Sequence, residues 1–222
     1  MDTLPSPSSY LVIEDHPEVA QNNCLSLQSL DTEAKCMVVS TPAEAIAHLA
    51  EQVPNLAVVD LQFGSASGEQ SAQDGLNLLK HIFDQYPLLN ILVYTSEYSY
   101  LKPLTPLISN HRGGFVVASK MERRKVFVEG AKSSLSGELR VPRDLRNDLD
   151  LNETDLRVLE LLCKASLSDK SMAEELNVSL KTAQNYIQHL KVKLDVDLMD
   201  KKSTNSRVSL CMEAIRRKLL IL

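Results

Sequence analysis

Apolar residues follow two different spacings along this chain. Up to about residue 135, short runs of consecutive apolar residues alternate with longer segments in which apolar residues recur every three or four positions. The runs predict buried strands and the longer segments predict helices, an alternation typical of a parallel sheet with helices on both faces. The predicted strands are 10–13, 37–39, 56–59, 91–94 and 115–117. The predicted helices are 17–30, 42–51, 74–86 and 123–135.

After residue 150 the spacing is helical only. Four segments, 151–163, 168–176, 179–194 and 206–220, carry it and predict a small all-α domain. The polar residues 136–150, which are interrupted by Gly137 and Pro142, are typical of a linker. We therefore predict a five-stranded, doubly wound α/β domain over 1–135, a linker over 136–150 and a four-helix domain over 151–222.

Composition agrees with two soluble domains. The 222 residues are 44% hydrophobic and 24% charged, which excludes a mainly disordered chain. No apolar run is long enough to span a bilayer and the N-terminus lacks a signal-peptide pattern, so we expect a cytoplasmic protein without a membrane partner. The four cysteines form no C-x-x-C pair, and we expect them to be reduced core residues.

Charge differs between the two predicted domains. Residues 1–130 hold 8 Lys/Arg and 15 Asp/Glu, whereas residues 131–222 hold 16 Lys/Arg and 14 Asp/Glu. The second half is therefore mildly basic although the whole chain carries −5. This balance is compatible with a local patch that contacts phosphates, but it predicts weak sequence-independent binding to nucleic acid.

Carboxylates stand at the ends of two predicted strands. Glu14 and Asp15 follow the first strand and Asp60 follows the third, while Thr95 ends the fourth. Because parallel sheets carry their sites at the carboxyl ends of strands, these side chains are expected to converge, and Mg²⁺ would neutralise the carboxylates. Taken singly, each acid is more simply a solvated loop residue. Three of them beside a hydroxyl group favour a site.

The motifs LVIEDHP, VVDLQFG, YTS and the later Asp74-Gly75 pair resemble the receiver domain of bacterial two-component response regulators, which has a flavodoxin-like fold. The resemblance covers about residues 9–134. It implies Asp60 as phosphoacceptor, Glu14, Asp15 and Asp60 as Mg²⁺ ligands, Gln62 as a ligand through its backbone carbonyl, Thr95 as the switch hydroxyl and Phe115 as the aromatic residue that follows it.

Two departures from the receiver pattern affect the predicted chemistry. Gly64 stands where receivers usually have Pro, and GSASGEQSAQ lengthens the loop that follows. The family Lys that pairs with the phosphoryl group lies three residues after the aromatic residue, a position held here by Ala118. Lys120 comes two residues later. Either a bulge or loop brings Lys120 back to the site, or the ion pair is missing and phosphorylation is weakened.

The segment SDKSMAEELNVSLKTAQNYIQHLKVKLDV has the layout of a helix-turn-helix, whose second helix enters a major groove. Together with LNETDLRVLELL it resembles the LuxR/NarL-type output domain. Four residues at helical spacing predict a base-reading face: Lys181, Gln184, Asn185 and Gln188. The amide groups suit adenine, so we expect A·T-containing half-sites. Four more residues are expected to bond phosphates: Ser179, Thr182, Lys191 and Lys193. A solvated helix face is the alternative for the lysines.

The last predicted helix carries more apolar surface than a terminal helix needs. In the resembled family this helix helps to form a homodimer. The residues assigned to that role are Arg207, Val208, Cys211, Met212 and Ile215.

These observations predict a bacterial transcription regulator, not an enzyme, that binds double-stranded DNA and accepts a phosphoryl group from a histidine kinase onto Asp60. A regulator that binds DNA without phosphorylation is the nearest alternative, and a protein-interaction adaptor is a more distant one. A Mg²⁺-dependent phosphatase is disfavoured, because Gln62 stands where a general acid would be needed.

Overall fold

The computed structural model describes residues 7–64, 69–148, 151–196 and 206–220. Its chain divides into two compact units, which are treated separately below. The first comprises Met1–Tyr98 and Leu107–Arg146, and the second comprises Ser99–Pro106 and Asn147–Leu222. Within the described ranges, no helix has the length and apolar character that crossing a membrane requires.

A six-stranded parallel sheet forms the centre of the first unit. Its strands are β1 (Ser9–Ile13), β2 (Lys35–Val39), β3 (Leu56–Val59), β4 (Asn90–Thr95), β5 (Phe115–Ser119) and β6 (Leu139–Arg140). They lie in the order β2-β1-β3-β4-β5-β6. The predicted number of five strands was wrong by one. The added strand β6 is short, and it pairs with β5 at Phe115 and Val116.

The helices of this unit are α1 (Pro17–Gln28), α2 (Pro42–Glu51), α3 (Glu69–Gln85), most of α4 (Thr105–Asn110), α5 (Arg124–Leu135) and most of α6 (Arg143–Asp148). A 3₁₀ helix at Tyr98–Leu104 belongs to the second unit from Ser99 onward. α1 packs beside α5, and α2 packs beside α3. The core between the sheet, α1 and α5 includes Val12, Leu27, Val116 and Phe127, all at most 1% exposed. Burial of these side chains at roughly 25 cal/mol per Å² of apolar surface is what holds the layers together.

Part of the predicted linker is structured. Residues 139–140 form β6, and α6 begins at Arg143. The preceding turn contains Gly137, whose φ of +80° lies in the left-handed region that glycine adopts readily. Two strand residues among polar neighbours have no periodicity to detect, which explains why the sequence pattern did not indicate them.

The second unit contains helices and, in its described part, no strand. They are α7 (Glu153–Leu159), a π-helical turn (Glu160–Lys164), α8 (Asp169–Glu175), α9 (Leu180–Lys193) and α10 (Ser206–Arg216). Side-chain caps fix three of the helix starts, at Asn152, Ser168 and Ser179. A single apolar core, with Val158, Met172, Ala183, Leu190 and Leu210 among its members, joins the helices.

The cysteines are paired, which corrects the expectation that they are reduced. Cys24 of α1 is bonded to Cys36 of β2 in the first unit. Cys163 of the π-helical turn is bonded to Cys211 of α10 in the second. The partners are 12 and 48 residues apart, and such spacings do not form a recognisable motif.

Candidate functional site

Two buried carboxylates stand at the carboxyl ends of neighbouring strands. Glu14 directly follows β1 and is 2% exposed, and Asp60 directly follows β3 and is 5% exposed. Their backbone N–H groups continue the sheet pairing, since Glu14 donates to Val39 O and Asp60 donates to Ile13 O. Because β1 lies between β2 and β3, both residues are at the point where the strand order reverses, which is where open α/β sheets bind their ligands.

Lys120 contacts both of these carboxylates. Its Nζ lies 2.6 Å from Glu14 Oε2 and 2.8 Å from Asp60 Oδ2. No bulge is needed, because β5 runs to Ser119 and the Lys120 N–H donates to Thr95 O, one position beyond the strand. The structure therefore places Lys120 at the acidic site, and its pairing with a phosphoryl group stays a prediction.

Burial and charge act against each other in this cluster. Burial raises the pKa of Glu14 above its usual value of 4.5, and the hydrogen bond and charge of Lys120 oppose that rise. Burial alone would lower the pKa of Lys120, but the Asp60 charge and hydrogen bond, reinforced by Glu14, raise it overall. Lys120 therefore remains a cation at neutral pH and compensates the buried negative charge.

Asp15 lies at the rim of the crevice and is held from two sides. Its Oδ2 accepts a 2.7 Å hydrogen bond from the Gly64 N–H, and its Oδ1 lies 3.0 Å from His16 Nδ1. Gly64 has φ = +79°, a left-handed conformation that a proline could not adopt. The departure from the receiver pattern at this position thus coincides with a backbone contact that positions Asp15.

The loop that carries Asp60 packs tightly against α3. The Asp60 Oδ1 atom accepts a hydrogen bond of 2.7 Å from the Leu61 N–H. A Cβ at Gly75 would lie 2.3 Å from the Leu61 carbonyl oxygen, so only glycine allows this approach. Gln62 is half-buried in the same loop. The predicted helix start at residue 74 was late, since α3 begins at Glu69.

Thr95 and Phe115 do not form the predicted switch pair. Thr95 ends β4 and is opposite Ser119, whereas Phe115 begins β5 and is opposite Ile91. Thr95 is buried and its carbonyl oxygen accepts a hydrogen bond from the Lys120 N–H, while the Phe115 ring packs against Phe83. The assignment of Phe115 is therefore corrected. Counting back three residues from Lys120 instead gives Val117, a residue that reasoning from the aromatic side chain missed.

The predicted base-reading face lies on α9. Lys181, Gln184, Asn185 and Gln188 are all exposed, as are His189 and Val192, which the prediction did not include. The spacing of the buried Ala183, Ile187 and Leu190 places them on the opposite side of the helix. Gln184 Nε2 lies 3.4 Å from Asp169 Oδ2 at the start of α8.

The residues predicted to bond phosphates have partners within the unit. The Ser179 hydroxyl caps α9 by accepting from the Thr182 N–H at 3.1 Å. Lys191 Nζ donates to Ser206 Oγ at 2.8 Å, and Lys193 Nζ contacts Asp155 Oδ2 at 2.5 Å. Each of the three side chains therefore has an intramolecular partner, and Lys193 in particular neutralises a buried carboxylate.

Some of the residues that the sequence predicted as a dimer surface on α10 are exposed, and others are bonded within the unit. Val208 and Met212 are 56% and 61% exposed, and Ile215 is half-buried. Arg207 instead bonds to Asp169 and to Leu167 O, and Cys211 is bonded to Cys163. Only part of the predicted dimer set is therefore on the open surface.

An ion-pair cluster around the buried Glu213 fixes the last helix to the end of α9. Glu213 accepts hydrogen bonds from Arg216 at 2.7 Å and from Arg217 at 2.6 Å. Arg217 also donates to Leu194 O at 3.0 Å, at the C-terminal end of α9. The hydrogen bond from Arg216, supported by Arg217, lowers the pKa of Glu213 from 4.5 to about 2.

This cluster predicts acid sensitivity. In the folded state Glu213 holds its proton less tightly than in the unfolded state, so its contribution is fully present above pH 4.5 and is lost as pH falls toward 2. We expect Glu213→Gln to lower the free energy of unfolding by about 2 kcal/mol at pH 7 and by much less at pH 3. Urea unfolding at both pH values measures this.

The matched control for Glu213 is Glu160→Gln. Glu160 pairs with Arg157 at 3.4 Å, but both side chains are about half exposed. That substitution is expected to change stability by under about 0.5 kcal/mol at either pH. An equal effect of the two substitutions at pH 7 would contradict the assignment of the acid sensitivity to Glu213.

Comparisons with known proteins agree with the geometry of both units. The chain is 23% identical over 198 residues to the DNA-binding transcriptional activator DevR/DosR of Mycobacterium tuberculosis, covering 84% of this chain and 88% of that protein. It is also 23% identical over 202 residues to the transcriptional activator protein ExaE of Pseudomonas putida, covering 84% and 89%. No family model matches the chain.

Solved structures support the same fold. The RcsB response regulator in a DNA complex has a TM-score of 0.52 at 18% identity, covering 95% of this chain and 98% of that one. A structure of two RcsB dimers bound to two parallel DNAs has a TM-score of 0.54 at 18% identity, covering 95% and 98%. The resemblance to response regulators of the NarL/LuxR type, predicted from the motifs, is confirmed.

Proposed function

We propose that this chain is a response regulator that binds double-stranded DNA and controls transcription. The observation that carries this proposal is the Asp60–Lys120–Glu14 cluster at the crevice of one unit, in a chain whose other unit presents an exposed α9 in a helix-turn-helix. Similarity to DNA-binding transcriptional activators along 84% of the chain supports it. Such a protein is a regulator and not an enzyme.

Asp60 is the proposed phosphoacceptor, with a histidine kinase as donor. Its Oδ2 lies 2.8 Å from Lys120 Nζ, so the ammonium is placed to pair with an oxygen of a phosphoryl group on Asp60. In the transfer a carboxylate oxygen of Asp60 forms a bond to phosphorus while the donor nitrogen–phosphorus bond breaks. The buried Thr95 ends the adjacent strand and would bond another phosphoryl oxygen.

The donor set in the crevice fits Mg²⁺. The oxygen ligands that this hard cation prefers are offered by Glu14, Asp15, Asp60 and the backbone carbonyl of Gln62. Glu14 and Asp60 contact the same ammonium, so their carboxylates already face one another. When bound, the metal would neutralise part of the charge of an incoming phosphoryl group.

Val117 favours a second candidate, a regulator that works without phosphorylation. This position, three residues before Lys120, holds no aromatic ring that could respond to Thr95. In this second candidate the first unit would support dimerisation at all times, whether or not a phosphoryl donor is present. Pairing of two copies through the exposed Val208 and Met212 of α10 belongs to both versions.

Binding to duplexes selected from a random-sequence pool tests the proposed function. We expect A·T-containing sites, and we expect Asn185→Ala and Gln188→Ala each to weaken binding to the selected duplex by about 5-fold to 100-fold. Lys181→Ala should weaken binding to all duplexes and reduce the salt dependence by about one counterion. Fluorescence anisotropy at several salt concentrations measures these effects.

Two controls accompany this experiment. A scrambled duplex should bind wild type and Asn185→Ala equally, because amide groups read bases and not phosphates. Lys125→Ala removes a charge from a side chain that is 82% exposed in the other unit, and it should leave binding unchanged. Absence of any salt-dependent retention on DNA would contradict DNA binding and favour the adaptor alternative.

A further inference from the structure

The disulfide of the second unit joins two segments on either side of the helix-turn-helix. Cys163 lies in the π-helical turn, where the Ala165 N–H donates to Glu160 O, and Cys211 lies in α10. The bond closes a loop that contains both α8 and α9. It therefore ties the last helix to the scaffold that supports the helix proposed to read DNA.

A permanent disulfide is unusual for the proposed function. A transcription regulator acts in the compartment that holds the DNA, where thiols are kept reduced and disulfides are commonly transient or redox-sensing. This step rests on the proposed function. The disulfide is then one of two redox states of this cysteine pair, and the reduced dithiol is the other.

The Cys163–Cys211 bond lies at an open cavity. A cavity of about 430 Å³ is lined by both cysteines together with Leu162, Ser168, Val208 and Met212. The Val208 and Met212 side chains on its rim are more than half exposed. A thiolate of a partner can therefore approach the two sulfur atoms, and access is one of the factors that set exchange rates.

We propose that Cys163 and Cys211 form a reversible redox site, exchanged by a dithiol of the thioredoxin class, that controls how firmly α10 is held. A partner thiolate attacks one sulfur to give a mixed disulfide and releases the other cysteine as a thiolate. The second partner thiol then displaces the remaining cysteine. The protein gains two electrons and two protons as a dithiol, and the partner becomes a disulfide.

Reduction removes one of the restraints on α10. The helix is also held by Glu213 with Arg217, by Arg207 and by the buried Leu210, so it stays folded without the bond. The Cys163 turn and the exposed side of α10 are then free to move apart. The proposed consequence is weaker pairing of copies through Val208 and Met212 in the reduced state.

The test compares the two disulfides in the same full-length protein. Oxidised protein is treated with dithiothreitol or with reduced bacterial thioredoxin, the thiols are alkylated at intervals, and mass spectrometry assigns each cysteine. We expect Cys163–Cys211 to open at least about tenfold faster than Cys24–Cys36, because both of its cysteines line an open cavity that a partner thiolate can enter. Equal rates, or faster opening of Cys24–Cys36, would overturn the proposal.

Hydrogen exchange and sedimentation show whether the bond controls α10. Reduction should speed amide exchange in residues 206–216 and lower the dimer fraction in wild type. The Cys163→Ser variant should behave like reduced wild type under both conditions, whereas Cys24→Ser should respond to reduction as wild type does. Unchanged α10 exchange after complete opening of the bond would also overturn it. None of these readouts uses DNA, so failure of the proposed DNA binding would be seen separately.

Discussion

Replacing Lys120 by Met will lower the free energy of unfolding of the first unit by about 3 kcal/mol at pH 7. The substitution leaves the carboxylates of Glu14 and Asp60 buried at 2% and 5% exposure without the ammonium that both contact. Removing one partner of a buried ion pair costs about 3–5 kcal/mol, because the remaining charge loses its compensation. Lys120 is itself 19% exposed, which places the expected value at the lower end of that range. Urea unfolding followed by circular dichroism measures it.

The pH dependence of this loss has a definite sign. Burial already raises the pKa of Glu14 above 4.5, so the folded state binds its proton more tightly than the unfolded state does. Ionised Glu14 therefore costs stability as pH rises through its folded-state pKa, and the cost is larger without Lys120. The deficit of Lys120→Met should shrink as the pH is lowered toward 4.5, where Glu14 becomes protonated in the folded variant.

A surface lysine gives the matched control for Lys120. Lys125 pairs with Glu129 at 3.4 Å, but the two side chains are 82% and 51% exposed, so Lys125→Met should change stability by under about 0.5 kcal/mol. Adding Lys120→Met to the Asp60→Asn variant should lower the free energy of unfolding by less than it does in wild type. One of the two carboxylate charges that Lys120 contacts is already absent in Asp60→Asn. If Lys120→Met alone lowers the free energy of unfolding by less than about 1 kcal/mol, Lys120 does not compensate the buried carboxylates of Glu14 and Asp60.

The acidic site was predictable because strands and their ends are marked in the sequence. Four consecutive apolar residues before Glu14, and again before Asp60, fix the strand ends to within a residue, and parallel topology then brings the two acids together. Lys120 was harder to place, because its position was counted forward from Phe115. The ring of Phe115 belongs to the core at the start of β5, so that starting point was two residues too early.

Contacts between residues far apart in sequence were the least predictable. Helical spacing was sufficient to place Asn185 and Gln188 on the exposed face of α9. It did not indicate that Lys193 pairs with Asp155, 38 residues away, or that Cys163 bonds to Cys211. Such pairs depend on how helices pack against each other, and single-sequence periodicity carries no information about that packing.

Asp60→Asn is expected to abolish formation of a phosphoryl adduct. Wild-type protein incubated with acetyl phosphate and Mg²⁺ should gain one phosphoryl group by intact mass, because Asp60 contacts Lys120 and follows β3, the strand that pairs with the one Thr95 ends. An acyl phosphate is cleaved by hydroxylamine, which distinguishes it from a phosphate on a hydroxyl group. The adduct brings about 1.5–2 negative charges into contact with Lys120, enough to bias a two-state equilibrium at the crevice.

The controls for Asp60 separate loss of the acceptor from loss of the fold. Asp84→Asn changes an exposed carboxylate near the end of α3 and should leave the adduct intact. Lys120→Met retains the nucleophile but removes the cation that would pair with the phosphoryl oxygens, so adduct formation should be slower but still depend on Asp60. If wild-type protein forms no adduct but still binds the selected duplexes, Asp60 is excluded as a phosphoacceptor. The Val117 position would then favour a constitutive receiver, in which Lys120 stabilises the buried acids and does not take part in phosphoryl transfer.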